Sequence, residues 1–158
     1  MPSDFPPFVA YNHEDYDVAA FKIDAANAGK AGSLCFLNTA DNEIEECGAD
    51  PALILGLMTG PYSARTIYAA QRMPVITLSD NVVIGMCSAT TPADAHLERL
   101  FGVTKLASGN WSVDTTKNTG TEAVPATARV KIVKVDVAAG IFYCKPLAQF
   151  LQGDAVFT

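Results

Sequence analysis

Short apolar segments separated by polar turns run along most of this chain, and this pattern limits its fold more than any other feature. From Asp17 onward most segments are strand-like. Asp, Asn, Ser and Gly separate them, and these residues suit the backbone of tight turns. The pattern predicts one all-β chain. The expected strand pairs are SLCFLN with EIEEC across TADN, MPVIT with VVIGM across SDN, VTKLA with WSVDT across SGN, and ARVKIVKVD with GIFYCKPLAQF.

Three segments depart from simple alternation. In TTPADAHLERLFG, Thr91 can cap a helix and Pro92 suits its first position, so we expect one short α-helix at about 92–101. The segment GADPALILGLM predicts either one helical turn after Asp50 or a buried strand over LILGLM. In ARVKIVKVD, Val133 interrupts the alternation, which indicates a β-bulge or a strand covered on both faces.

The first twelve residues hold three prolines and three aromatic residues. Proline fixes φ and removes a backbone donor, so this segment is expected to be extended. We therefore divide the chain into an N-terminal arm, 1–20, and a single β-rich domain, 21–158. Phe5, Phe8 and Tyr11 are candidates for filling pockets on a neighbouring subunit. The alternative is a frayed terminus.

The balance of charge argues against a nucleic-acid partner. The formal net charge is −6, whereas nucleic-acid binding needs a basic stripe to neutralise phosphates. Arg129, Lys131 and Lys134 lie close together, and they indicate a solvated strand face or a contribution to the surface of a larger assembly. Charged residues make up 18% of the chain and apolar residues 49%, which suggests that a partner covers part of the surface.

The opening MPSDFPPFVAYN has no basic start or apolar core of a signal peptide, and no apolar run is long enough to cross a bilayer. A soluble protein with no membrane partner is therefore expected. The cysteines are far apart, with no CxxC pair, so buried thiols are expected rather than a zinc site. One or two disulfides remain the open alternative. The cysteines are Cys35, Cys47, Cys87 and Cys144.

No motif in the chain carries a recognisable chemistry. His13 and His96 are the histidines, and no serine lies in a G-x-S-x-G elbow. The acidic run DNEIEE lacks the spacing of a calcium-binding loop, and GKAGS lacks that of a phosphate-binding loop. We therefore expect no enzymatic activity, no cofactor and no bound metal.

Trp111, the single tryptophan, follows the turn Ser108-Gly109-Asn110. It can serve as a platform for a stacked ligand or as the corner of a β core. No polar constellation accompanies it, which favours the core. We expect Trp111 and Val113 to be buried, with the indole N–H bonded to a backbone carbonyl. Val130 and Ile132 complete the predicted structural core.

The order of these segments resembles a pattern found in phage proteins. The block GSLCFLNTADNEIEECGADPALILGLM combines a strand, a polar turn and a cG-DP motif followed by IlGl. FGVTKLASGNWSVDTT, ARVKIVKVD and a closing IFYCKPL strand complete it. Over roughly residues 29–147 the chain therefore resembles the capsid decoration (cement) proteins of tailed bacteriophages.

This resemblance implies a small β-barrel or β-tulip-like module on the outer capsid surface of a virion, made in the bacterial host cytoplasm. The implied partners are the major capsid protein and further copies of the chain, with trimers favoured and dimers as the alternative. Cementing would act through many copies that bridge neighbouring shell subunits. Tail-tube and head–tail joining proteins use similar β segments and form a second candidate class. A small-ligand-binding barrel with Trp111 at its mouth is a distant third.

Overall fold

Strands account for nearly all the regular structure of this chain. The structure, a computed structural model, describes residues 3–11, 16–23, 30–60, 72–121, 123 and 126–152. Within these ranges the helical structure consists of two 3-10 turns, Asp94–His96 and Ala148–Phe150. The strands are β1 (Phe8–Tyr11), β2 (Asp17–Ile23), β3 (Leu34–Asn38), β4 (Glu43–Glu46), β5 (Gly56–Met58), β6 (Arg72–Thr77), β7 (Val83–Ser88), β8 (Leu100–Lys105), β9 (Trp111–Asp114), β10 (Val130–Asp136) and β11 (Ile141–Pro146). The predicted all-β class is confirmed.

The first barrel is a closed sheet with the strand order β2-β4-β3-β5-β6. It closes because β2 pairs antiparallel with β6 and also meets β4 in a short parallel pairing at Lys22 and Ile23. Side chains from alternate strand positions fill its interior, as the pleat requires. The buried cluster is Ile23, Cys35, Leu37, Ile44, Leu55, Met58, Met73 and Val75.

The second barrel contains the remaining strands in the order β1-β7-β11-β10-β8-β9. β9 returns to pair in parallel with β7 at Cys87 and Ser88, so five of the six strands close on themselves and β1 is added beside β7. Leu34, Leu57 and Leu78 from the first barrel's side pack into the core of the second. The two barrels therefore share a hydrophobic core.

Three of the predicted hairpins are confirmed. β3 pairs with β4, β8 with β9, and β10 with β11, all antiparallel. Asn42 and Gly109 have positive φ angles of 60° and 89° in the first two of these turns, as the turn residues predict. The register of β10 shifts between Ile132 and Lys134, so the β-bulge alternative at Val133 is correct.

The predicted hairpin across SDN is wrong, although both of its strands exist. β6 belongs to the first barrel and β7 to the second. Leu78 and Val82, on either side of the turn, are both buried in the shared core. The turn therefore carries the chain from one barrel to the other.

The predicted α-helix at about 92–101 is also wrong. Only Asp94–His96 is helical, as a 3-10 turn, and Glu98 has a φ of 62° that no α-helix contains. The Glu98 N–H donates to the Ile132 carbonyl, and Ile132 in turn donates to Arg99. Pairing with β10 therefore replaces the helical hydrogen bonds. Leu97, which follows the 3-10 turn, is exposed.

In the segment LILGLM the buried-strand alternative is correct, but the strand is limited to Gly56–Met58. Ile54 bridges to Leu151 and β5 follows at once. No helical turn follows Asp50, which has a φ of 51°. The predicted domain boundary between residues 20 and 21 falls inside β2, so the strand that closes the first barrel begins within the predicted arm.

Candidate interaction surface

Residues 3–11 of the predicted arm lie on the second barrel of their own chain, whereas residues 17–20 belong to β2 of the first barrel. β1 pairs antiparallel with β7, with Phe8 opposite Gly85 and Val9 opposite Ile84. Ser3 adds an isolated bridge to Ser88, and its hydroxyl donates to the Ala139 carbonyl at 2.8 Å. Residues 1–2 and 12–15 of the arm lie outside the described ranges. The role of the arm between subunits stays a prediction.

Asp4 and Pro7 fix the arm before β1 begins. The Asp4 carboxylate accepts hydrogen bonds from Ser108 Oγ and Asn110 Nδ2, both at 2.8 Å. The Asn110 bond is the main reason why the pKa of Asp4 lies below its usual value, followed by the Ser108 bond. Pro7 is buried against Gly32, where an added Cβ would lie 2.7 Å from the Pro7 carbonyl oxygen. Hydrogen bonds at Asp4 and close packing at Pro7 thus fix this segment against the rest of the chain.

The aromatic residues of the arm face outward at the barrel surface. The Phe8 ring covers Gly85, where a Cβ would overlap the ring, and it remains 40% exposed. Phe5 packs against it with ring centroids 5.9 Å apart. The register shifts between Val9 and Tyr11, so Val9 packs on the core while Tyr11 is 43% exposed. The sequence predicted these three aromatics as a contact surface but gave no sign of this bulge.

Tyr143 and Lys134 extend this surface onto β11 and β10. The rings of Tyr11 and Tyr143 are 5.5 Å apart. Lys134 Nζ donates to Tyr11 Oη at 3.0 Å and lies 5.4 and 5.2 Å from the Tyr11 and Tyr143 ring centroids. The hydrogen bond to Tyr11 raises the pKa of Lys134. We call Phe5, Phe8, Tyr11 and Tyr143 the arm surface.

The predicted core residues are buried: Trp111, Val113, Val130 and Ile132 each expose 2% or less. Trp111 therefore presents no ring face to a ligand. The expected hydrogen bond from its indole N–H to a backbone carbonyl is wrong. The N–H donates instead to Glu46 Oε1 at 3.1 Å, and Glu46 Oε2 is paired with Lys105 at 2.8 Å.

The glutamates of the acidic run DNEIEE, which includes Glu46, pair with different residues. Glu43 pairs with Lys22, and Glu45 accepts a hydrogen bond from Asn38 Nδ2. Among the residues that the structure describes, no group of three or more His, Cys, Asp or Glu could hold a metal ion. His96 packs against the rings of Phe101 and Phe142, and His13 lies outside the described ranges.

The three neighbouring basic residues have different environments. Arg129 is buried, and its guanidinium donates to the Pro51 carbonyl at 2.6 Å and stacks on Phe150 at 4.0 Å. It therefore fixes the loop between β4 and β5, a role that the alternation of the strand did not reveal. The interpretation as a solvated strand face is correct for Lys131 and Lys134, which lie on the outside of β10, and wrong for Arg129.

The four cysteines are free and buried. Burial raises the pKa of the Cys47 and Cys144 thiols to about 12 and raises that of Cys35 further. Such thiols are poor nucleophiles and poor metal ligands, since both roles need the thiolate. The expectation of buried thiols is thus confirmed.

No protein-family model matches the chain, and the search of curated proteins gave no significant match. Among the described residues, no helix has the length and apolar character needed to span a membrane.

Proposed function

We propose that this chain is a virion structural protein that binds the outer surface of a bacteriophage head and cements neighbouring major capsid subunits. The observation that carries the proposal is the arm surface, which holds aromatic side chains outward on a rigid barrel. The resemblance of roughly residues 29–147 to decoration proteins supports it, as does the all-β barrel fold that this resemblance implies.

The arm surface has the physical properties of a contact site. Phe8 and Tyr11 are fixed by pairing with β7 but remain about two-fifths exposed, so a partner can bury them at little cost in side-chain entropy. Burying one such side chain contributes about 2 kcal/mol, and aromatic residues are enriched among the residues that dominate binding energy. In the described sheets β1 pairs with β7 alone, so its other edge can also receive a partner's backbone.

Cementing follows from the repetition of this contact over a lattice. Each copy needs only modest affinity for one shell subunit if it contacts two, because the second contact is intramolecular. Further copies of the chain, in trimers or alternatively dimers, would multiply these bridges. The proposed location is the outer capsid surface, after synthesis in the host cytoplasm.

The test is co-sedimentation of the purified protein with mature, undecorated heads. We expect binding close to one copy per shell subunit and a higher temperature of head rupture. Binding restricted to a single vertex would instead assign the protein to the neck or tail, the alternative structural role. Failure to bind any part of the particle would refute the proposal.

Two variants test the arm surface itself. Phe8→Ala combined with Tyr11→Ala should weaken head binding at least tenfold while the barrel remains folded. The matched control is Leu53→Ala, which removes an apolar side chain of similar exposure, 44%, from the β4–β5 connection. Equal binding by both variants would exclude the arm surface as the contact.

A further inference from the structure

The bulge in β10 places two lysines on the same outer face of the second barrel. Ile132 and Cys144 are opposite each other, point inward and are fully buried. Lys131, one residue earlier, therefore points outward opposite Lys145. The register shift after Ile132 turns Lys134 outward as well, opposite Tyr143. Without the bulge, Lys131 and Lys134 would lie on opposite faces of the strand.

The pairing of Lys131 with Lys145 is unfavourable in the isolated chain, because like charges directly across a sheet repel. Lys131 is partly compensated by Glu98, whose Oε2 lies 3.2 Å from Lys131 Nζ. Lys145 forms no ion pair with any residue in the described ranges. The ammonium group of Lys145, opposite that of Lys131, can therefore pair with a carboxylate from another molecule.

A cleft of about 610 Å³ opens at this lysine pair. Lys131 and Lys145 contribute to its wall with Glu98 and Asp80, while Pro146 and Leu147 supply apolar surface. The Glu98 backbone N–H donates to the Ile132 carbonyl, which places Glu98 beside Lys131 at the cleft. The cleft is wide enough for a side chain and its neighbouring backbone.

The cleft shares the outer face of β10 and β11 with part of the arm surface. Lys134 and Tyr143 form the next outward-facing register pair after Lys131 and Lys145 on these two strands, and Lys134 bonds to Tyr11. A protein that covers Tyr11 and Tyr143 can therefore also reach the lysine pair. Three of the eleven Lys and Arg residues of an acidic chain thus lie on this one face.

We propose that the cleft receives a carboxylate side chain of a protein partner, which bridges Lys131 and Lys145. The identification of that partner as the major capsid protein rests on the proposed function; the carboxylate site does not. A polynucleotide fits less well, because two lysines beside Asp80 and Glu98 do not form the basic stripe that a run of phosphates requires.

The experiment is an NMR titration of the full chain with a capped hexaglutamate peptide at low ionic strength. Amide signals of Lys131 and Lys145 should shift, and salt should weaken binding because the pairs are exposed. The double variant Lys131→Gln/Lys145→Gln should bind about 5-fold more weakly, the size expected for two exposed ion pairs. The control is Lys22→Gln, which removes a lysine from the first barrel. Thermal unfolding checks that all variants remain folded.

The outcomes separate this inference from the proposed function. No binding of hexaglutamate, or equal binding by the double variant, overturns the carboxylate site. Tighter binding of hexathymidylate than of hexaglutamate also overturns it, in favour of a nucleic acid. Failure of the wild-type protein to bind heads refutes the proposed function but leaves a positive peptide titration standing. If wild type and double variant bind heads equally, the bridging carboxylate does not come from the shell.

Discussion

Asp4 is the charged residue that ties the N-terminal segment to the second barrel. Its carboxylate accepts hydrogen bonds from Asn110 and Ser108, and Lys30 Nζ bonds both the Asn110 side chain and the Ser108 carbonyl, at 3.1 and 2.9 Å. These bonds favour the ionised form, so the pKa of Asp4 in the folded chain is below its usual value of 3.8. A carboxyl group with a lowered pKa stabilises the native state when it is ionised.

The lowered pKa of Asp4 determines how attachment of the N-terminal segment depends on pH. The contribution of Asp4 to the free energy of unfolding is fully present above its unfolded pKa of about 3.8. It is lost as the pH falls through the lower pKa of the folded state. We expect Asn110→Ala to move the pKa of Asp4 back toward 3.8, because it removes the main cause of the shift. The measurement is a carboxyl-carbon NMR titration, with Ser3→Ala as the control that leaves the partners of Asp4 intact. An unshifted Asp4 in the wild-type chain would contradict the role of these bonds.

Trp111 shows which residue properties can be predicted from the sequence. Its burial follows from the turn before it and the strand after it, which place the side chain at a strand end. The acceptor of its N–H could not be predicted, because Glu46 lies in the other barrel and 65 positions earlier in the chain. Arg129 is a similar case, since its carbonyl acceptor belongs to Pro51.

At the scale of elements, β5 and β6 approach each other so closely that only glycine fits at Gly56. A Cβ there would overlap the Ile76 carbonyl group, which belongs to backbone and cannot move aside. We expect Gly56→Ala to lower the free energy of unfolding by about 3 kcal/mol, at the upper end for overpacking. Urea denaturation followed by circular dichroism measures this change.

Gly48 provides the matched control for this substitution. An added Cβ at Gly48 would have no atom within 4 Å, so Gly48→Ala should change the free energy of unfolding by less than about 0.5 kcal/mol. A similar loss in both variants would mean that backbone freedom, and not the contact with β6, determines the effect at Gly56.

The elements that the sequence predicted correctly are those whose pairing is local. β3 with β4, β8 with β9, and β10 with β11 are joined by short turns, and polar turn residues mark them. The helix at 92–101 was wrong because Thr91 and Pro92 indicate only where a helix can begin. Phe101, at its predicted end, instead alternates with Val103 on the buried side of β8. The backbone hydrogen bonds of Glu98 and Arg99 with β10 replace those of a helix. No local sequence pattern predicts these bonds.

At the scale of the whole molecule, the division into two barrels depends on contacts between distant parts of the chain. Each barrel is closed by a short parallel pairing, β2 with β4 and β7 with β9. Parallel neighbours need a crossover connection and cannot be inferred from a turn. The turn pattern therefore predicts the all-β class and the resemblance implies a barrel, but neither predicts the shared core of Leu34, Leu57 and Leu78 that joins the two closed sheets.

The shared core predicts that the two barrels unfold together, and the four buried cysteines report on this. Cys35 lies in the core of the first barrel, while Cys47 and Cys144 lie in the shared core. We expect the native protein to resist a thiol reagent at pH 8, because burial blocks access and a thiol with a pKa of about 12 is ionised in only about one molecule in ten thousand. All four thiols should become reactive at the same urea concentration.

Mass spectrometry of pulse-labelled protein counts the modified cysteines at each urea concentration. The control is Ala40→Cys, which adds an exposed thiol in the turn between β3 and β4 and should react at once in the native state. A single cooperative step from none to four labels would mean that neither barrel is stable without the other, as their shared core requires.

Labelling of Cys35 before Cys144 would show instead that the first barrel opens alone. In that case its contact with the second barrel contributes less to stability than Leu34, Leu57 and Leu78 suggest, because separating the barrels would expose these three side chains to water.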